Sequence, residues 1–213
     1  MTISRERVLT SACDLYLADG LDGFSMRRLA NELGVTAPAL YRHYPAKEAL
    51  LRDVVGEAFK VFGAYLYKAL EGGTPQERLR LTGEGYVAFA LEHPRYYEVI
   101  HASPRLLGFS DLPADVSAQA CGTKQFLVDR VRECMDARVL AADDPEIVAA
   151  AIWASSHGLV SLFLGGSLSM QKADFVSFYH LALSRLFMGL AGEAFVPRFQ
   201  RPAAAPLALG LAR

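Results

Sequence analysis

A chain of 213 residues of which 52% are hydrophobic carries enough apolar side chain for one large domain or two modest ones, which excludes whole-chain disorder. With 22 basic and 23 acidic residues the net charge is −1, which excludes a protein that coats nucleic acid or anionic membrane by bulk electrostatics. Any contact with DNA therefore has to be local.

Apolar residues recur at threes and fours rather than alternately, so the chain reads as all-α. A first helix is expected over 4–18, with Val8, Ala12, Leu15 and Tyr16 on one face and Gly20 as its stop. A second begins at Ser25, a good N-cap, and places Met26, Leu29, Ala30 and Leu33 on one side before Gly34 ends it. Thr36 caps a short third helix through Tyr44, in which Pro38 is tolerated because the first turn needs no N–H from it. Pro45 closes that helix. A long fourth runs from about Lys47 toward Leu70, with Leu50, Leu51, Val54, Val55, Ala58, Phe59 and Phe62 as its apolar stripe. Further helical periods fall near 75–91, 94–101, 114–139, 145–164 and 173–190, enough for an antiparallel bundle. The expected organisation is an N-terminal three-helix reading domain at 1–54, a larger helical domain at 55–196 and a flexible tail at 197–213.

Cys13, Cys121 and Cys134 are odd in number and widely spaced, which fits reduced thiols rather than a disulfide framework or a zinc site. The N-terminus carries charges throughout and lacks the apolar core of a signal peptide. No stretch reaches 18 uncharged apolar residues, so a cytoplasmic chain without a membrane span is expected.

Residues 24–44 have the layout of a helix-turn-helix: a capped amphipathic helix, a glycine turn, then a short helix with a thin inner face and a free outer one. Such a helix enters a groove about 12 Å wide, so one side is committed to DNA and little remains to bind it to the core. In 1–54 seven basic residues are matched by seven acidic ones, so position decides. Arg27 and Arg28 flank the start of the second helix, and Arg42, His43 and Lys47 follow the third. The run Phe24 to Leu51, with Leu40-Tyr41-Arg42-His43-Tyr44 and Lys47-Glu48-Ala49-Leu50, resembles the TetR family of transcriptional regulators over about residues 5–60. That resemblance implies that Thr36, Ala37 and Ala39 face base edges and that Ser25, Arg27, Tyr41, His43 and Lys47 hold phosphates. Hydroxyls, cations and a helix N-terminus are groups that phosphates attract. Arg28 and Arg42 fit either a DNA contact or a solvated face. The two alanines offer only methyl contact to bases.

In the second half, Trp153, His157 and Gly158 form Trp-x-x-x-His-Gly, and residues four apart share a helix face. The pattern resembles the C-terminal domain of a TetR subgroup named for those three residues. A ligand site in the 80–190 bundle would draw on Tyr86, Phe89, Tyr97, His101, Trp153 and His157, which also fit plain core packing. Phe163, Leu164, Phe175, Phe178, Tyr179, Leu183, Leu186, Phe187 and Leu190 give the last two helices more apolar surface than one bundle needs, and the resemblance implies that they pair with their mates in a homodimer.

These readings converge on a ligand-responsive repressor that binds a palindromic operator as a dimer and is released by a small apolar or aromatic effector. Three rivals stand beside it. A helical enzyme would need a nucleophile elbow, a P-loop, HExxH or the paired Glu-x-x-His motifs of a di-iron site, none of which the sequence contains, and no cofactor is expected. A metal sensor would have to use His93, His101 or His157 with Cys121. A chain that binds ligand or a protein partner without DNA remains open because the third helix is thinly basic.

Overall fold

The computed structural model describes residues 3–102, 107–108 and 113–196, and the sequence-predicted tail at 197–213 lies outside them. The described residues form helices α1 (Arg5–Gly23), α2 (Met26–Leu33), α3 (Ala37–Tyr41), α4 (Lys47–Tyr67), α5 (Pro75–Glu92), α6 (Pro94–His101), α7 (Ala114–Asp136), α8 (Pro145–Leu164) and α9 (Lys172–Gly189). Among them no strand occurs, only an isolated bridge between Leu140 and Ala191. The fold is all-α.

The described residues fall into two compact units, one within Met1–Gly63 and His93–Gly122, the other within Ala64–Glu92 and Thr123–Arg213. In the first, the Ser4 hydroxyl caps α1 by accepting the Arg7 N–H. Gly20, at φ 68° and ψ −163°, kinks that helix instead of ending it, and helical backbone resumes to Gly23. The core is built from Val8, Ala12, Leu15 and Tyr16 of α1, Leu29 and Ala30 of α2, Leu40 of α3 and Leu50, Leu51, Val54, Val55 and Ala58 of α4. Phe24, between α1 and α2, meets Tyr16 edge-on at 6.4 Å. α6 packs on α1, where the Cys13 thiol and the Tyr96 phenol share a hydrogen bond. Val116, in the first turn of α7, is buried in the same unit.

The second unit contains a short 3-10 turn (Lys68–Glu71) that reverses the chain from the end of α4 into α5. There the two backbones nearly touch: a Cβ on Gly85 would lie 2.5 Å from the Tyr65 carbonyl oxygen, so only glycine fits. Leu79 of α5, Val128, Val131 and Cys134 of α7, and Val148, Ala149 and Ile152 of α8 form one apolar cluster. Burial pushes the Cys134 thiol up to about 12, so it packs as a small apolar group. After α9 the chain folds back, and the Gln76 side-chain amide pairs with both the carbonyl and the N–H of Val196, at 2.6 and 3.2 Å.

α8 packs against α5 and α9 but buries only some of its apolar side chains. Ile147 is 63% exposed, and Trp153 and Leu162 are 47% exposed. α8 is long and apolar enough to cross a membrane by length and composition only, a test that the core helix of a soluble protein also passes. The sequence expectation for α9 needs correction on one point. Phe175, Tyr179 and Leu183 are interior to the protomer, because Phe175 stacks on Phe163 at 4.1 Å and the Tyr179 hydroxyl donates to the Gly83 carbonyl.

Candidate nucleic-acid interface and sensing region

The reading unit follows from local chemistry. Ser25 sits in extended backbone, and its Oγ accepts the Arg28 N–H at 3.2 Å, which starts α2. Met26, Leu29 and Ala30 then turn inward. Gly34 adopts the left-handed conformation, φ 65° and ψ 31°, and its N–H returns to the last turn of α2, while the Val35 N–H reaches the Ala30 carbonyl at 3.0 Å. Thr36 precedes α3 with no side-chain cap bond, leaving its exposed hydroxyl uncommitted to the helix end. α3 has five residues, ends at Tyr41 rather than Tyr44, and buries only Leu40. Tyr44 follows as a separate buried anchor, 1% exposed.

Of the residues assigned to DNA, Ser25, Arg27, Arg28, Thr36, Tyr41 and Arg42 are exposed, and Ala37, Ala39, His43 and Lys47 are half-buried. Tyr41 is 48% exposed, a large aromatic that packs on little of its own chain. Lys47, the first residue of α4, carries its ammonium 5.7 Å from the centre of the Phe24 ring. Arg28 is engaged within the protein, at 2.6 Å from Asp19 and 3.6 Å from Glu32.

One cluster in this unit had no counterpart in the sequence reading. The Asp53 carboxylate accepts from Arg5 Nη2 and from the Tyr44 hydroxyl, both at 3.0 Å and both at Oδ2. Its Oδ1 faces the Arg52 guanidinium at 3.5 Å. The partners lie 48, nine and one residue away in sequence, so no helical period announces them.

The sequence-predicted ligand residues divide between the units. In the second, the Tyr86 hydroxyl lies 3.1 Å from His157 Nδ1, and the Ser161 hydroxyl lies 3.4 Å from His157 Nε2. Burial lowers the His157 pKa from its ordinary 6.5, favouring the neutral ring. Trp153, 5.9 Å from His157 between ring centres, stands half in solvent instead of on a buried face. Phe89 is fully buried and meets Tyr65 edge-on at 5.8 Å. In the first unit, Tyr97 is buried with its ring 4.6 Å from that of His101. Residues of α8 and α9 line a shallow groove of about 380 Å³, among them Ala154, Gly158, Leu159, Leu162, Leu183 and Leu186, none of them an expected ligand residue. Among the described residues no three His, Cys, Asp or Glu side chains cluster as a metal site.

Residues 8–54 match the family described as bacterial regulatory proteins, tetR family, and residues 79–186 match the tetracyclin repressor-like C-terminal domain. The chain belongs to the TetR family. It is 46% identical over 56 residues to the tetracycline repressor protein class C of Escherichia coli, a match covering 26% of this chain and 25% of that protein. An uncharacterized helix-turn-helix transcriptional regulator of Mycobacterium tuberculosis is 23% identical over 174 residues, 82% of this chain and 76% of that one. Among solved structures, a protein of unknown function from Rhodococcus superposes with a TM-score of 0.76 at 26% identity, covering 88% of this chain and 95% of the other. The alignments to the first three curated relatives span only 25%, 18% and 37% of their lengths.

Proposed function

We propose that this TetR-family chain is a cytoplasmic, ligand-responsive transcriptional repressor that binds a palindromic operator as a homodimer. The observation that carries the reading is α3: five residues that bury Leu40 alone and leave Tyr41 outward, flanked by exposed Thr36 and Arg42, behind a left-handed glycine turn. A helix that gives so little of itself to its own core is free to enter a groove. Thr36, Ala37 and Ala39 take the base edges, and Ser25, Arg27, Tyr41, His43 and Lys47 take phosphates. Arg42 is a further cation for the backbone. Arg28 has to leave Asp19 and Glu32 before it can join them.

The outward face of α8 supports the dimer. Ile147, Trp153 and Leu162 leave apolar surface in water, and burying each would contribute about 1–2 kcal/mol, counted twice across a two-fold axis. The same face supports reading α8 as an interface helix rather than a membrane span. Trp153, His157 and Gly158 support a reading of the chain as a member of the Trp-His-Gly subgroup, and Tyr86, Phe89 and His157, with Trp153 at the margin, offer a small apolar or aromatic effector a mixed apolar and polar contact. Tyr97 and His101 belong to the first unit. α4 contributes residues to both units, which makes it the natural element through which effector and operator affinities are coupled.

The test is selection of bound sequences from a random duplex pool by the full-length protein, followed by footprinting. A palindrome with half-site centres at least one duplex turn apart, about 34–36 Å, is the expected result. A pool that shows no enrichment, or a single unpaired half-site, rejects the reading.

A further inference from the structure

The geometry points to Asp53 as a positioning residue for DNA reading: its carboxylate ties the first turn of α1 and the second turn of α4 to the turn that carries α3. The inference rests on the function proposed above. A five-residue helix cannot set its own orientation, because nucleating a helical turn costs more than so short a segment returns. Leu40 supplies one buried anchor and Tyr44 the next, with the Tyr44 N–H bonded to the Leu40 carbonyl at 3.0 Å. One anchor lets a short segment pivot; two fix it.

What fixes Tyr44 in turn is polar. Its ring is buried, and its hydroxyl donates to the Asp53 oxygen that also accepts from Arg5. The Arg5 guanidinium lies 4.7 Å from the centre of the Tyr44 ring, so cation, phenol and carboxylate contact one another pairwise. Asp53 is the hub because it alone accepts from both. Arg52, which faces the other Asp53 oxygen, also lies 3.7 Å from Asp115 in the first turn of α7. Arg5 is thereby committed to a protein carboxylate. Loss of the Tyr44 hydroxyl removes no outward-facing cation, so its effect on DNA binding has to come through the placement of α3.

The experiment uses the full-length protein and two labelled duplexes of roughly 30 base pairs, room for two half-sites one turn apart. One is enriched from a random pool by the wild type and the other is its scrambled counterpart. Tyr44→Phe and Asp53→Asn are expected to weaken binding to the enriched duplex about tenfold, a change of about 1.4 kcal/mol. Binding to the scrambled duplex and the salt dependence should stay as in the wild type, since no phosphate contact is lost. The double variant should be no weaker than the worse single one, because both remove the same contact. Amide exchange over residues 36–44, read without DNA, should accelerate in both variants. Arg5→Gln, at a side chain 58% exposed, repeats the test with little risk to folding.

Unchanged affinity for the enriched duplex with a lowered melting temperature would make the cluster merely structural and overturn the inference. Parallel losses on both duplexes with a flatter salt dependence would overturn it too, by making Tyr44 or Arg5 a direct phosphate contact. A wild type that enriches no duplex removes the proposed function and this inference with it. A wild type that binds, with variants that bind equally well, removes this inference alone.

Discussion

α3 and α8 each leave much of their surface outside the protomer's own core, and they do so with opposite chemistry. α3 buries Leu40, and it and its two flanking residues leave a hydroxyl, a phenol and a guanidinium exposed, at Thr36, Tyr41 and Arg42. α8 buries Val148, Ala149, Ile152, Ser156 and Val160 and turns isoleucine, tryptophan and leucine outward. An unburied helix face invites a partner, and its side chains say which kind. Donors and a cation around a short helix suit a polyanion with hydrogen-bonding edges, whereas aliphatic and aromatic side chains suit another apolar face, ideally their own symmetry mate.

The strongest attack on this contrast is a charge on α8. Leu162→Asp is expected to raise the dimer dissociation constant at least a hundredfold, about 2.8 kcal/mol, because the two-fold axis buries the carboxylate twice. Sedimentation at micromolar concentration would show monomer in place of dimer, while helical content by circular dichroism stays as in the wild type. An unchanged dimer would mean that the α8 face pairs with something else. The matching attack on the reading unit is milder. Lys47→Ala should weaken operator binding about tenfold and flatten the plot of log affinity against log salt by roughly one unit, leaving the dimer intact. If the slope holds, Lys47 meets no phosphate and its cation belongs to the Phe24 ring.

The contrast between the helices also explains what was legible in the sequence. The α2–α3 unit announces itself through local signals: Ser25 as cap, Gly34 where a left-handed residue is needed, Pro38 in a first turn and Pro45 after the end. Each acts within four residues, so sequence order suffices, although the length of α3 was overestimated and Thr36 makes no side-chain cap bond. α8 was legible as a helix but not as a surface. Four-residue spacing places Trp153 and His157 on neighbouring parts of one face, yet spacing cannot tell which part a third helix covers. Here cover falls on His157 and misses Trp153. For the same reason Phe175, Tyr179 and Leu183 read as spare apolar surface although Phe163 and Gly83 already occupy them. The Arg5–Tyr44–Asp53 cluster was invisible because α1, the α3–α4 turn and α4 meet there without any period linking their residues.

A smaller test concerns the inner side of α8. Because burial lowers the His157 pKa below 6.5, the unfolded chain binds the proton more tightly, and stability rises with pH across that window. The contribution is complete above 6.5 and is lost as pH falls toward the lower folded value. His157→Gln should therefore flatten the melting temperature against pH as pH falls through 6.5. A pH dependence identical to that of the wild type would place the titration elsewhere and the His157 ring in solvent.

The smallest effects compare two glycines around which the protomer leaves the same empty space. A Cβ on Gly34 or on Gly158 meets nothing within 4 Å, so packing within one chain makes the two substitutions equal. Backbone makes them opposite. Gly34 stands at φ 65°, where an L side chain is strained, and Gly34→Ala should cost about 1 kcal/mol in chemical denaturation, loosening the turn that sets α3. Gly158 lies inside α8, where alanine is the better helix former by about 0.8–1 kcal/mol, so Gly158→Ala should stabilise a monomeric background such as Leu162→Asp by that amount. In a dimer paired through α8 the new methyl would face the mate across the interface. There the gain should shrink or reverse, with the dimer dissociation constant rising severalfold. Equal stabilisation in both backgrounds would show that α8 does not approach its mate at Gly158 and that the contrast with α3 rests on the larger apolar side chains alone.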